Sequence, residues 1–326
     1  VALWVGAAVI ISYTFLGGFL AVCWTDFFQG LLMFLALILV PIVVIAAVGG
    51  WGEAVDRVGG VDPARLDVFH DMTLFGIVSL MAWGLGYFGQ PHIVVRFMAV
   101  RHSSDIPMAR LIGMSWMVLA LYGAILTGFI GIAYFADQPL ANAETVFITL
   151  SQTLFNPWVA GILLAAILSA IMSTIDSQLL VSSSALTEDF YKAILRRNAS
   201  QHELVWVGRG AVILIALIAI LLAQNPESTV LGLVAYAWGG FGAAFGPVVI
   251  LSLFWKRMTR NGAVAGMVVG AATVIVWKQL SGGIFDMYEI LPGFILCALT
   301  VWGVSLLDKE PSPAIQAEFE TVRRSL

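Results

Sequence analysis

Charge is what this sequence has least of. Only 11% of its 326 residues are charged, 16 basic and 20 acidic, against about 25% in a soluble globular domain. That deficit excludes an ordinary water-facing fold. No basic cluster with interleaved aromatics is present, so nucleic acid is not an expected partner. Cys23 and Cys297 stand far apart in apolar surroundings, without a CxxC or Cys/His ligand spacing. They read as small buried hydrophobes rather than as a disulfide or a metal site. An HExxH motif and paired intramembrane acids with histidine are lacking too, which removes the usual signatures of a membrane-embedded enzyme. Initiator Met, charged n-region and signal cleavage site are also absent. The chain opens inside an apolar run, and the expectation is a fragment lacking N-terminal helices of the same chain.

What is abundant is apolar length. Hydrophobic residues make up 60% of the chain and the mean hydropathy is +0.95. Apolar runs recur at about 20 residues, the helical span of a bilayer core, not as the alternating ten-residue segments of a barrel. The expected fold is an all-α membrane protein embedded in a lipid bilayer. About nine spans are expected, at roughly 1–17, 25–49, 73–95, 108–135, 156–185, 205–223, 229–255, 262–280 and 287–307. One alternating set of connections, with the C-terminal tail, holds Arg96, Arg101, Arg110, Lys192, Arg196, Arg197, Arg209 and six further basic residues. The opposite set holds Arg57, Arg65 and Lys278 alone. The basic side is the cytoplasmic one. Residues 1–307 are thus expected as the transmembrane domain and 308–326 as a cytoplasmic C-terminal tail.

Glycine and proline interrupt several spans: WGLGYFGQP within 73–95, WGGFGAAFGP within 229–255, and glycine pairs at 17–18, 49–50 and 59–60. Backbone freed by a break inside a span is tolerated where protein or a water-lined cavity satisfies it. Broken spans point to the midplane site of a secondary transporter. Close helix packing through small residues is the competing explanation.

Polar residues inside the spans supply the candidates. In LSAIMSTIDSQLL, Ala170, Ser173, Thr174 and Ser177 fall at i, i+3, i+4 and i+7, one helical face. Two hydroxyls and an exposed carbonyl there suit part of the shell of a hard cation such as sodium. The alternative is back-bonding of Ser and Thr to the preceding turn. Asp176 sits on the same helix and either pairs with Gln178, faces an aqueous vestibule, or merely lines a cavity. Asp26, in CWTDFFQG, reads either as a helix N-cap or as an anion beside a cation path. Trp83, Tyr87 and Pro91, at i, i+4 and i+8, make a candidate wall for a small, partly apolar solute, with Gln90 and His92 nearby.

The stretches YTFLGGFLA, WTDFFQG, MAWGLGYFGQPH, AGILLAAILSAIMSTIDSQLL, SALTEDFYK and AYAWGGFGAAFGPVV together resemble the sodium:solute symporter family over nearly the whole chain. Within it, GYFGQPH and ALTEDFYK resemble most the proline-transporting bacterial members. The resemblance implies a partial inverted-repeat (LeuT-like) symporter core, from the fourth core helix onward, in the bacterial inner membrane. It implies Na+ as coupling ion and L-proline or a similar small solute as cargo. It assigns Ala170, Ser173 and Thr174 to a sodium site completed by an earlier helix. Trp83 and Tyr87, followed by Pro91, fall to the substrate side, and Asp26 to sodium use. Asp176 receives no role from it. Rival readings are a symporter for another solute and a transporter-like sensor fused to a kinase, although the tail DKEPSPAIQAEFETVRRSL shows no kinase-type continuation.

Overall fold

The computed structural model describes residues 2–223 and 230–325. Residues 1 and 229, where two expected spans begin, lie outside the described residues. The described chain forms twelve α-helices and no strand. They are α1 (Ala2–Val48), α2 (Trp51–Val61), α3 (Leu74–Met81), α4 (Pro91–Met98), α5 (Ile106–Tyr134) and α6 (Val146–Leu154), followed by α7 (Pro157–Ser184), α8 (Gln201–Leu222), α9 (Val230–Phe254), α10 (Arg260–Trp277), α11 (Ile290–Leu307) and α12 (Pro313–Ser325). Seven of them, α1, α5 and α7 to α11, are long and apolar enough to cross a membrane.

Nine spans were expected, and the difference from seven has two physical causes. The first two expected spans run together in α1, broken at Gly18 (φ 57, ψ −152). The third, 73–95, is three pieces: α3, a 3-10 segment Ala82–Gly89, and α4.

The break at Gly18 folds α1 back on itself. In a straight helix residues 13 and 29 would lie about 24 Å apart, yet Tyr13 has both Gln29 and Asp26 as side-chain neighbours. Only glycine takes such a backbone conformation without strain. Gly17 supports the fold as well, since a Cβ there would overlap that of Ala21.

Contacts divide the described residues into two compact units. One draws on Val1–His70 and Val100–Gln224. Within it the second half of α1 turns Ala36, Val40, Val44 and Val48, spaced by four, onto Val58 of α2, Ile130 of α5, Leu150 of α6 and Leu163 of α7. The first half packs Ile10 against Leu179 of α7 and Val212 of α8. Helix α7 starts on an Asn156 cap whose Oδ1 accepts from the Trp158 and Val159 amides, with Pro157 in the first turn. It continues past Ser184 in wider π-helical turns over Ala185–Leu195.

The other unit draws on Asp71–Ala99 and Asn225–Leu326. Ala82, Ala243, Val274 and Ile290 form its core. Gly262 and Gly266 let α10 lie directly on α11, since a Cβ there would meet Ser305 and Val301, and Gly270 lets it approach α9, where a Cβ would meet Ala243. This is the small-residue packing that membrane helices use. Gly86 and Gly89 of the 3-10 segment approach Gly242 of α9 in the same way. Helix α12, in the expected tail, is tied back by an ion pair between Lys256 and Glu320 at 3.8 Å.

Candidate functional site

On α7 the Ser173 and Thr174 hydroxyls converge on one carbonyl. Ser173 Oγ donates to Ala170 O at 3.2 Å and Thr174 Oγ1 donates to the same oxygen at 3.0 Å. Three neutral oxygens, predicted to share a face, therefore lie within hydrogen-bonding distance along one helical turn. Ala170 and Thr174 are exposed and Ser173 is half-buried. Each hydroxyl oxygen keeps lone pairs beyond its donated bond, so the group fits part of the shell of a hard monovalent cation. One turn further on, Ser177 Oγ donates to Ser173 O at 2.7 Å.

Asp176 is fully buried, and its position corrects the sequence reading. It neither pairs with Gln178 nor faces a vestibule: Gln178 is exposed, and two residues on a helix point about 200° apart. Tyr13 instead donates its hydroxyl to Asp176 Oδ2 at 2.7 Å, and the Ser177 hydroxyl oxygen lies 3.2 Å from Oδ1. Asp26 is a charged neighbour of the same carboxyl. It is no N-cap, because the helix resumes directly after Gly18 and Asp26 lies two turns inside it. The fold at Gly18 brings Asp26 toward Tyr13, and Tyr13 reaches Asp176 on α7.

The aromatic candidates belong to the other unit, and their geometry also differs from expectation. Trp83 and Tyr87 share a face only on an α-helix, whereas the segment is 3-10, where repeats fall every three residues. The residues that share an edge are Trp83, Gly86 and Gly89. What unites Trp83 and Tyr87 is Trp238 of α9. Its ring stacks on Trp83 with centroids 5.5 Å apart and planes at 15°, and meets Tyr87 edge to face at 4.8 Å. Tyr288 also lies near-parallel to Trp83, at 6.1 Å. Gln90 is buried and donates from Nε2 to Trp238 O at 3.2 Å. Pro91 opens α4 in its first turn, a position where its missing N–H has no consequence.

Sequence reasoning missed Tyr13, Trp238 and Tyr288. Tyr13 and Trp238 lie in YTFLGGFLA and AYAWGGFGAAFGPVV, Tyr13 one turn before a glycine pair and Trp238 directly before one, and that was the available signal. Nothing in the sequence singled out Tyr288.

Comparison with known proteins decides the family. The model of the sodium:solute symporter family matches residues 1–270. The chain belongs to the sodium:solute symporter family. It is 58% identical to the sodium/proline symporter of Escherichia coli (strain K12) over 98% of its own length and 64% of that protein's. It is 55% identical to the high-affinity proline transporter PutP of Bacillus subtilis (strain 168), over 97% of this chain and 67% of that one. The chain thus spans about two thirds of the length of these curated relatives. A solved structure of a Na+-coupled sialic acid symporter, in a substrate-bound outward-open state, matches 94% of this chain and 66% of its own with a TM-score of 0.72. At 21% identity that likeness is one of fold. The family member described here is a multi-pass helical membrane protein.

Proposed function

We propose that the chain serves sodium-coupled uptake of L-proline by alternating access across a bacterial cytoplasmic membrane. Residues 1–307 are its transmembrane symporter domain and 308–326 a tail on the cytoplasmic side. The observation that carries the reading is the convergence of the Ser173 and Thr174 hydroxyls on Ala170 O, at 3.2 and 3.0 Å. The names and identities of the proline-transporting relatives support the substrate.

In this reading Na+ takes Ala170 O, Ser173 Oγ and Thr174 Oγ1 as part of its shell, and the hydroxyls give up their back-bonds' geometry to it. Asp26 and Asp176 belong to the ion's path, where negative charge lowers the cost of removing its water. Proline, a zwitterion with an apolar ring, packs on Trp83 and Tyr87, with Gln90 and Pro91 beside them. Coupling requires that sodium bind one state of the transporter better than the other, since a ligand shifts a balance only by its differential affinity.

The test is Thr174→Ala beside Thr174→Ser. A hydrogen bond to a charged group is worth about 1.5–3 kcal/mol, and loss of one hydroxyl ligand at that scale raises the half-saturating sodium concentration by about 10- to 100-fold. The Ser variant keeps the oxygen and stays near wild type. Thr174 is exposed, so stability changes by less than about 0.5 kcal/mol. Unchanged sodium dependence in Thr174→Ala refutes the site.

A further inference from the structure

Trp238 was not among the residues assigned to the solute, yet it touches three that were. Its ring lies on Trp83, its edge contact fixes Tyr87, and its carbonyl accepts from Gln90. A fourth contact is more specific. Trp238 Nε1 donates to Trp83 O at 2.9 Å, binding the indole to the backbone of the 3-10 segment as well as to its side chains. Gly86 makes room for this: a Cβ there would overlap the Trp238 indole at Nε1, Cδ1 and Cε2. Tyr288 steadies the same region, stacking near Trp83 while donating its hydroxyl to Ala235 O at 2.6 Å, one turn before Trp238 on α9.

We infer that Trp238 is a positioning residue for the solute: it sets the spacing of Trp83, Tyr87 and Gln90 and thereby the size of ring the site accepts. The inference rests on the function proposed above. The 3-10 segment is only eight residues long, Ala82–Gly89, and 3-10 hydrogen-bond geometry is poorer than that of an α-helix. Left alone it would not hold two aromatic side chains at a fixed separation. Trp238 sits on the 25-residue helix α9 and lends them that helix's rigidity, as a site built on a regular element requires.

The experiment measures uptake of labelled proline by the full-length protein at saturating sodium, normalised to the protein in the membrane. Wild type, Trp238→Phe and Gly86→Ala are compared, with the six-membered ring homologue pipecolate as competitor. Phe keeps a ring against Trp83 and Tyr87 but cannot donate to Trp83 O. A net hydrogen bond of ordinary strength corresponds to about a fivefold change in affinity. The expected result for Trp238→Phe is a half-saturating proline concentration raised about fivefold or more, with the maximal rate within about twofold. The preference for proline over pipecolate narrows. Gly86→Ala, which pushes the indole away without altering it, moves both quantities in the same direction and serves where Trp238→Phe fails to reach the membrane. A purely structural role lowers the maximal rate and leaves half-saturation and ring preference unchanged, and that result overturns the inference. Absence of sodium-driven proline uptake in wild type overturns the functional reading itself, an outcome separate from a normal wild type with an indifferent Trp238→Phe.

Discussion

That Ser173 and Thr174 share a face with Ala170 could be read from sequence because all three lie on a regular α-helix. A period of about 3.6 residues puts positions 170, 173 and 174 on one face, and α7 has that period throughout Pro157–Ser184. Their hydroxyls do bond back to the preceding turn, the packing alternative weighed for them, and the sodium role is the proposal made above. Asp176 was not legible, since its partner Tyr13 is 163 positions away in sequence and helical spacing says nothing of such a pair. The Tyr13 bond gives a prediction at this scale. Tyr13→Phe, Asp176→Asn and the double variant form a cycle whose coupling energy is about 1.5–3 kcal/mol if the carboxyl is ionised, and about 1 kcal/mol if it is neutral. Thermal unfolding in detergent measures it, and a coupling near zero would show that the 2.7 Å contact is incidental to stability.

At the scale of the element, glycine marked some breaks and overcalled others: α9 runs unbroken through WGGFGAAFGP and α2 through Gly59 and Gly60. The pair at 17–18 announced an interruption, and Gly18 supplies it with a positive φ of 57°. Gly18→Ala meets no atom within 4 Å, so its effect is backbone strain alone, about 1–3 kcal/mol. It should lower the unfolding midpoint by several degrees while leaving helical content unchanged by circular dichroism. On α10, Gly266 faces Val301 and Cys297 of α11. Gly266→Leu must force the two helices apart, and loss of folded protein from the membrane fraction is the expected readout. The same substitution at Gly303, which has open space around it, should be tolerated. The glycines of WGLGYFGQP pointed to a broken span. Their consequence, a 3-10 turn that removes Tyr87 and Pro91 from Trp83's face, was hidden because hydropathy and spacing do not distinguish 3.0 from 3.6 residues per turn.

For the whole molecule, composition decided most. A chain with 11% charged residues leaves large apolar side chains outward on its long helices, among them Leu20 at 70% exposure and Leu222 at 75%. Water would not tolerate such a surface, and lipid does. The helical fold and the approximate spans followed from run length alone. The division into two compact units did not, because hydropathy reports which residues leave water and not which helices pair. The chain passes from one unit to the other near residue 71, returns near 100 and leaves again near 225, at positions no single loop feature distinguishes. The central claim is that proline movement is driven by sodium. Purified full-length protein in proteoliposomes, given labelled proline under an inward sodium gradient or an equal potassium gradient, tests it most directly. Accumulation above equilibrium with sodium and none with potassium is the predicted result. Equal uptake under both gradients, or sodium-driven uptake of another solute with proline excluded, would contradict it.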